Sequence, residues 1–228
     1  MKYAVIGTGK TGHTILDLLP PSDVVAVCNS KNPVTREKVK VADVGIVFVP
    51  GAAMETMLPI LLDLGIPLVI GTTGFEWPKD LDQKLKAAKT TWILSSNYSI
   101  GVNAHRYYAE RIKKSMRALE PKDTKISIAE THHVHKLDAP SGTAITLAHY
   151  LDVPQEEITA FREGDVKGIH TVTYTWPRDR VVLTHEALDR KAFGAGAILA
   201  AQYIGKMEPG LQAFEKLADT LIENGLKG

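Results

Sequence analysis

The sequence predicts an α/β protein: a doubly wound parallel sheet followed by a C-terminal α+β domain with a mixed sheet. Three observations predict it. The first hundred residues alternate short, continuously apolar runs with stretches of helical periodicity, the pattern of parallel strands covered on both faces. A glycine-rich turn, Gly7 to Gly12, joins the first strand to the first helix. After Asn103 the pattern changes to strands that alternate polar and apolar residues, interrupted by helices.

The candidate strands of the first part are Lys2–Ile6, Val24–Cys28, Val44–Val49, Pro67–Ile70 and Thr91–Leu94. Between them, apolar residues recur at helical spacing over Thr11–Leu19, Ala53–Leu64 and Lys79–Ala88. The polar link from Asn29 to Asp43 has room for little more than one helical turn. Beyond Asn103, Ala104–Leu119 reads as an amphipathic helix, with Tyr107, Ile112 and Met116 on one side and Pro121 as its stop. Strand-like segments follow at Lys125–Glu130, His170–Trp176 and Arg180–Glu186. A helix opens near Ser141, and Ala192–Ile204 is a helix of small residues. Pro209-Gly210 breaks the chain before a final amphipathic helix, Leu211–Leu226. The expected division is residues 1–102, completed by 209–228, and residues 103–208, with hinges near Val102 and Glu208.

At 228 residues, one large domain or two small ones fit the usual size of about 150. Such a chain buries roughly 70% of its unfolded surface and needs no staple. With 44% hydrophobic and 23% charged residues it is neither disordered nor fibrous. A net charge of +1 offers no basic field, so no nucleic-acid partner is expected. No apolar run is long enough for a membrane span or signal peptide, and the expectation is a soluble, cytoplasmic protein. The single cysteine, Cys28, lies in an apolar strand and reads as a buried thiol.

Gly7-Thr8-Gly9-Lys10-Thr11-Gly12 places G-x-G-x-x-G where that motif has a mechanism. Its glycines allow a tight turn and close approach of backbone to a pyrophosphate, which the helix N-terminus attracts. A Rossmann-like dinucleotide site follows. The rival, a triphosphate loop ending Gly9-Lys10-Thr11, needs a glycine where Ala4 stands in the strand, and is rejected. The second strand ends Cys28-Asn29-Ser30-Lys31, without the acid that repels a 2′-phosphate, so NADPH or NADH is expected, leaning to NADPH.

The densest chemistry lies in Glu130-Thr131-His132-His133-Val134-His135-Lys136-Leu137-Asp138-Ala139-Pro140-Ser141-Gly142-Thr143-Ala144. Three of the eight histidines fall within four residues, beside a lysine. No H-E-x-x-H or cysteine partner supports a metal, and none is expected. Histidine donates a proton near neutrality, lysine supplies a positive charge, and Ser141-Gly142-Thr143 opens a helix able to hold an anion. With a nicotinamide fold this points to hydride delivery to one carbon of a conjugated C=C or C=N system and a proton to its neighbour, on an anionic small molecule.

The run from Glu130 to Ala144 resembles the signature of the 4-hydroxy-tetrahydrodipicolinate reductase (dihydrodipicolinate reductase) family of bacterial lysine biosynthesis. Gly71-Thr72-Thr73-Gly74-Phe75 and Ser96-Asn97-Tyr98-Ser99-Ile100-Gly101-Val102-Asn103 agree with it, at the ends of the fourth and fifth strands. The resemblance implies His132 as general acid and Lys136 as the second catalytic residue. It implies that His133, Gly142 and Thr143 hold the carboxylates of a dicarboxylate substrate. Gly7, Thr8, Gly9, Lys10, Thr11 and Gly12 would cradle the pyrophosphate. Gly71, Thr72 and Thr73, with Ser96, Asn97 and Tyr98, would line the nicotinamide, largely through backbone groups. Arg190 would be a further cation near the substrate. The resemblance also implies a homotetramer built by the C-terminal sheet, domains that close over bound ligands, and a last helix returning to the first domain. Three features depart from the common pattern: a glycine loop one residue shorter, a shortened segment between the second and third strands, and Val49-Pro50-Gly51 after the third strand. The other readings weighed are a different imine or enoate reductase of the same build and a non-catalytic nucleotide sensor.

Overall fold

The computed structural model of the chain describes residues 1–119 and 124–227. Pro121, the expected helix stop, lies outside the described residues. The chain divides into two compact units, Met1–Ile100 together with the chain from Arg190 onward, and Gly101–Asp189.

The first unit is built on six strands: β1 (Tyr3–Ile6), β2 (Val24–Cys28), β3 (Val44–Val47), β4 (Leu68–Ile70), β5 (Thr91–Leu94) and β10 (Gly210–Ala213). They lie in the order β10-β5-β4-β3-β1-β2, and every pairing is parallel. Successive side chains of a strand point to opposite faces, so Tyr3 and Val5 enter one core with Ile46, Val69, Ile93 and Phe214. Ala4 and Ile6 enter a second core on the other face, with Leu68, Ile70 and Trp92. Two apolar faces on one sheet require helices on both sides, and the continuous apolar strands are the sequence trace of that double cover. α1 (Lys10–Leu18) and α7 (Lys191–Ile204) pack over the first core, and α3 (Gly51–Leu64) and α4 (Leu81–Ala87) contribute to the second. Between β2 and β3 a single-turn helix, α2 (Arg36–Val39), fills the short polar link and is capped by Thr35, whose Oγ1 accepts from the Lys38 amide.

Two expectations are corrected here. Residues 190–208, expected in the C-terminal domain, belong to the first unit. The small side chains of α7 explain this: a Cβ at Gly194 would stand 2.7 Å from Thr14 Oγ1 of α1, and one at Gly196 would overlap the Tyr98 carbonyl. The final segment begins as a strand, not as a helix at Leu211. Gly210–Ala213 pairs with Thr91–Leu94, the Asp82 carboxylate accepts the Leu211 amide at 2.9 Å, and only then does α8 (Phe214–Lys227) start. Edge pairing supplies backbone hydrogen bonds that amphipathic periodicity cannot reveal.

The second unit is a mixed sheet of β6 (Lys125–His132), β7 (Thr159–Arg162), β8 (Ile169–Thr175) and β9 (Arg180–Glu186) in the order β7-β6-β8-β9. β7, which the sequence does not announce, pairs parallel with β6; β6–β8 and β8–β9 are antiparallel. Ile128, Val172 and Tyr174 meet residues of α5 (Ile100–Leu119) and α6 (Gly142–Leu151) in a third core. The Tyr174 hydroxyl is donated to the Ala109 carbonyl of α5.

Candidate active site

In the first unit, the loops after β1, β3, β4 and β5 leave the carboxyl ends of adjacent strands, where open parallel sheets bind ligands. Gly7 (φ +97°) turns the chain sharply, and its amide donates to Cys28 O at 2.8 Å. A Cβ at Gly12 would lie 1.9 Å from the Gly7 carbonyl, so these two glycines are required by the turn itself. Gly9 is different: nothing stands within 4 Å of its would-be Cβ. It occupies the N-cap of α1 without a side-chain cap, which leaves first-turn amides of α1 for an external acceptor. A cavity of about 580 Å³ opens beside this turn, lined among others by Gly7, Thr8, Gly9, Asn29 and Ser30. The residues present therefore fit a dinucleotide.

The other expected coenzyme residues sit at the same sheet edge. Lys10 is exposed and Thr11 half-buried at the start of α1. Gly71 and Thr73 flank Thr72, whose hydroxyl donates to Val49 O at 3.0 Å and joins the loops after β3 and β4. Ser96 is exposed, and the Asn97 amide donates to Ser95 Oγ at 3.0 Å. Tyr98 is only 1% exposed, and its hydroxyl contacts the Ile70 and Ile93 carbonyls at 3.0 and 2.8 Å. Its ring belongs to the core, leaving only backbone for any ligand. Arg190 is exposed at the start of α7, in the first unit.

The second unit gathers the residues expected to be catalytic around one buried carboxylate, Glu130. Strand alternation puts Ile128, Glu130 and His132 on the inner face of β6, and the register sets His170 of β8 opposite Glu130 and His185 of β9 opposite His170. Both Glu130 oxygens accept the Ser141 amide, at 3.0 and 3.1 Å. Ser141 caps α6, its Oγ accepting from the Ala144 amide at 3.2 Å and lying 3.2 Å from His170 Nε2. His132, 7% exposed, holds Nδ1 at 3.5 Å from Glu130 Oε2. Gly168 (φ +151°) borders the other ring nitrogen: a Cβ there would stand 3.0 Å from His132 Nε2.

Arg162, from β7, reaches over this group. Its guanidinium donates to the Lys136 and Asp138 carbonyls and lies 3.5 Å from Glu130 Oε1, tying the loop after β6 to the sheet. Lys136 Nζ donates to both oxygens of Asp138 at 2.8 Å, and this cation holds the Asp138 carboxyl below its ordinary value. His133 is half-buried on the same loop, Gly142 is exposed at the first turn of α6, and Thr143 follows it. Burial lowers the His132 pKa first; Glu130 opposes that by raising it, Lys136 and Arg162 lower it further, and Asp138 raises it.

Glu130, His132 and His170 bring ligand-type atoms within 4.8 Å of one another. The guanidinium beside Glu130 opposes a second cation on that carboxylate, and the Ser141 amide already engages both oxygens. Glu130, Arg162, Gly168 and His170 escaped sequence reasoning. Glu130 alone carried a signal there, standing two residues before His132 and so on the same strand face.

Two family models cover nearly the whole chain: the N-terminal region of dihydrodipicolinate reductase over residues 1–98 and its C-terminal region over residues 101–218. Curated relatives named 4-hydroxy-tetrahydrodipicolinate reductase match end to end. The one from Christiangramia forsetii is 34% identical over 98% of this chain and 100% of its own length. The one from Rickettsia bellii is 35% identical over 96% of this chain and 95% of its own. A solved structure, a dipicolinate-bound dihydrodipicolinate reductase from Paenisporosarcina sp. TG-14, shares the fold with a TM-score of 0.73, at 20% identity, covering 95% of this chain and 98% of that one. A glycine turn fit for a dinucleotide, an acid-and-cation segment on a mixed sheet, and these matches lead to one assignment: the chain belongs to the dihydrodipicolinate reductase family.

Proposed function

We propose that the protein reduces 4-hydroxy-tetrahydrodipicolinate to tetrahydrodipicolinate with NADPH or NADH, as a step of lysine and diaminopimelate biosynthesis. The observation that carries the residue roles is the placement of His132, a buried imidazole beside a carboxylate and next to an anion-ready helix start. The family membership and the names of the curated relatives support the reaction.

Loss of water from the hydroxyl precursor leaves a conjugated cyclic imine with two carboxylates. A nicotinamide coenzyme, held by the glycine turn after β1 and bordered by the loops after β4 and β5, would supply hydride chemistry at one ring carbon. His132 gives its proton to the neighbouring carbon, so that charge and atoms balance. Lys136 exchanges its Asp138 partner for a substrate carboxylate, which costs little because the carboxylate it leaves is exposed. His133, Gly142 and Thr143 hold the second carboxylate at the start of α6, where the helix dipole favours an anion. Gly7, Thr8, Gly9, Lys10, Thr11 and Gly12 hold the pyrophosphate. Gly71, Thr72 and Thr73, with Ser96, Asn97 and Tyr98, border the nicotinamide through their backbones. The absence of an acid at the end of β2, where Asn29 Oδ1 instead accepts the Lys31 and Asn32 amides, supports tolerance of a 2′-phosphate.

The working assembly is a homotetramer built on the second unit's sheet, and its place is the cytoplasm. The outer face of that sheet supports the assembly: it presents Phe161, Thr171, Thr173 and Val182, with Phe161 and Val182 both more than half exposed. No described helix is long and apolar enough to cross a membrane.

The test is oxidation of NADPH, and separately of NADH, with substrate generated in place by the preceding synthase from pyruvate and aspartate semialdehyde. Synthase-dependent oxidation inhibited by pyridine-2,6-dicarboxylate establishes the reaction and ranks the coenzymes. Coenzyme binding without turnover overturns it.

A further inference from the structure

We propose that Glu130 is the positioning residue of the active site, a single buried carboxylate that orients the His132 proton donor and locks it to the anion-binding start of α6. The inference rests on the reading of His132 as that donor. Glu130 touches neither ligand site directly in this arrangement; it acts through what it holds.

The geometry assigns three tasks to this one side chain, which has no solvent exposure. Bidentate acceptance of the Ser141 amide fixes the residue at which α6 begins, and so the position of the Gly142 and Thr143 amides. His132 Nδ1 lies 3.5 Å from Glu130 Oε2, without a hydrogen bond but at ion-pair distance once the imidazole is protonated, so the charge of Glu130 holds that edge of the ring and leaves Nε2, next to the side-chain-free Gly168, as the donating atom. The contact to Arg162 at 3.5 Å, with Arg162 also donating to the Lys136 and Asp138 carbonyls, ties the loop that carries Lys136 to the same point. A buried carboxylate is costly unless its lone pairs are used, and each partner here belongs to the catalytic segment or braces it. The charged and titratable groups facing His132 are Glu130 on its own strand, Lys136 and Asp138 on the following loop, Arg162 on β7 and His170 on β8. Within that set Glu130 favours the protonated imidazole, and Arg162 and Lys136 oppose it.

The experiment is the pH profile of turnover for the intact enzyme and for the Glu130→Gln, Arg162→Gln and His132→Gln variants, with coenzyme affinity measured alongside. Glutamine keeps the shape of Glu130 and an acceptor for the Ser141 amide but removes the charge. The expected result for Glu130→Gln is a fall in kcat of at least about tenfold. The alkaline limb, where the donor loses its proton, moves to lower pH by about one unit or more, and coenzyme affinity stays unchanged. Arg162→Gln removes the opposing cation, so its limb moves to higher pH. This opposite sign is readable even if Glu130→Gln does not fold, and a purely structural role moves neither limb. A limb of Glu130→Gln that coincides with wild type, or of Arg162→Gln that fails to rise, overturns the proposal while an inactive His132→Gln leaves the donor in place. Full turnover in His132→Gln overturns the donor and this inference with it.

Discussion

Glu130 of β6 stands directly opposite His170 of β8, and its carboxylate lies 3.8 Å from His170 Nε2. The row continues across the sheet: His185 pairs with His170, their rings 6.1 Å apart, and His105 of α5 follows with its ring 6.2 Å from His185. With the His132 ring 5.1 Å from His170, four imidazoles gather at the inner face of the sheet beside the buried Glu130 carboxylate. Among the described residues none of their Nδ1 atoms has a hydrogen-bond partner. Burial, and then the neighbouring histidines, drives His170 down to about 3, and burial also lowers His132, His185 and His105.

That row makes the fold sensitive to acid. In the unfolded chain each histidine takes a proton near pH 6.5, whereas His170 resists until about 3. The stability it contributes is complete above about 6.5 and is lost as pH falls from there towards about 3. Urea midpoints should fall between about pH 7 and about pH 5, and His170→Asn should flatten the slope by up to about 1.4 kcal/mol per pH unit. Equal slopes in the two proteins would show that His170 is already protonated in the folded state.

On the proposed role of His132, His132→Gln should lower turnover by roughly 10²–10⁴-fold and leave coenzyme affinity nearly intact, because the proposal makes it a proton donor rather than a binding surface. Single-turnover measurement with saturating coenzyme checks this. A loss confined to KM would make His132 a substrate ligand instead.

The pH limbs of the two kinetic constants should separate. In the free protein burial keeps His132 easier to deprotonate than usual. A substrate dianion bound nearby favours the imidazolium and raises that pKa. The alkaline limb of kcat, which reports the bound complex, should therefore lie at higher pH than the limb of kcat/KM. Lys136→Ala should both raise KM and reduce kcat, since the proposal assigns this cation to binding and reaction together. Coincident limbs would mean that the substrate's charge does not reach His132.

Gly9→Ala separates what the turn needs from what the ligand needs. Gly9 has φ −72° and nothing within 4 Å of an added Cβ, so stability should stay within about 0.5 kcal/mol of wild type. Coenzyme affinity should fall at least about tenfold, because the methyl group would occupy the approach proposed for the pyrophosphate. Isothermal titration alongside thermal melting decides. An unaltered Kd would remove Gly9 from the site.

Tyr98→Phe should behave in the opposite way. Its buried hydroxyl satisfies the Ile70 and Ile93 carbonyls, and removing it should cost about 1–2 kcal/mol of stability with no change in coenzyme affinity. Weakened binding at an unchanged melting temperature would show that the side chain itself reaches the coenzyme.

Much was legible in the sequence because it is written locally. Apolar runs and their spacing reveal the parallel strands and their double cover, and the glycine turn after β1 is visible because a tight turn and a phosphate both demand glycine. The His132-to-Thr143 segment declares its chemistry by composition. What escaped depends on residues distant in sequence. α7 joins the first unit because Gly194 and Gly196 let it approach α1 and the Tyr98 backbone, a contact that helical periodicity cannot show. Gly210–Ala213 becomes a strand because β5 offers an open edge. Glu130, Arg162 and His170 come together only through the register of three strands, and it is that shared burial that sets how readily His132 holds its proton. Local pattern determined which groups the protein owns; tertiary packing alone decided which charge faces which, because electrostatic coupling in a buried site depends on distances that sequence does not contain.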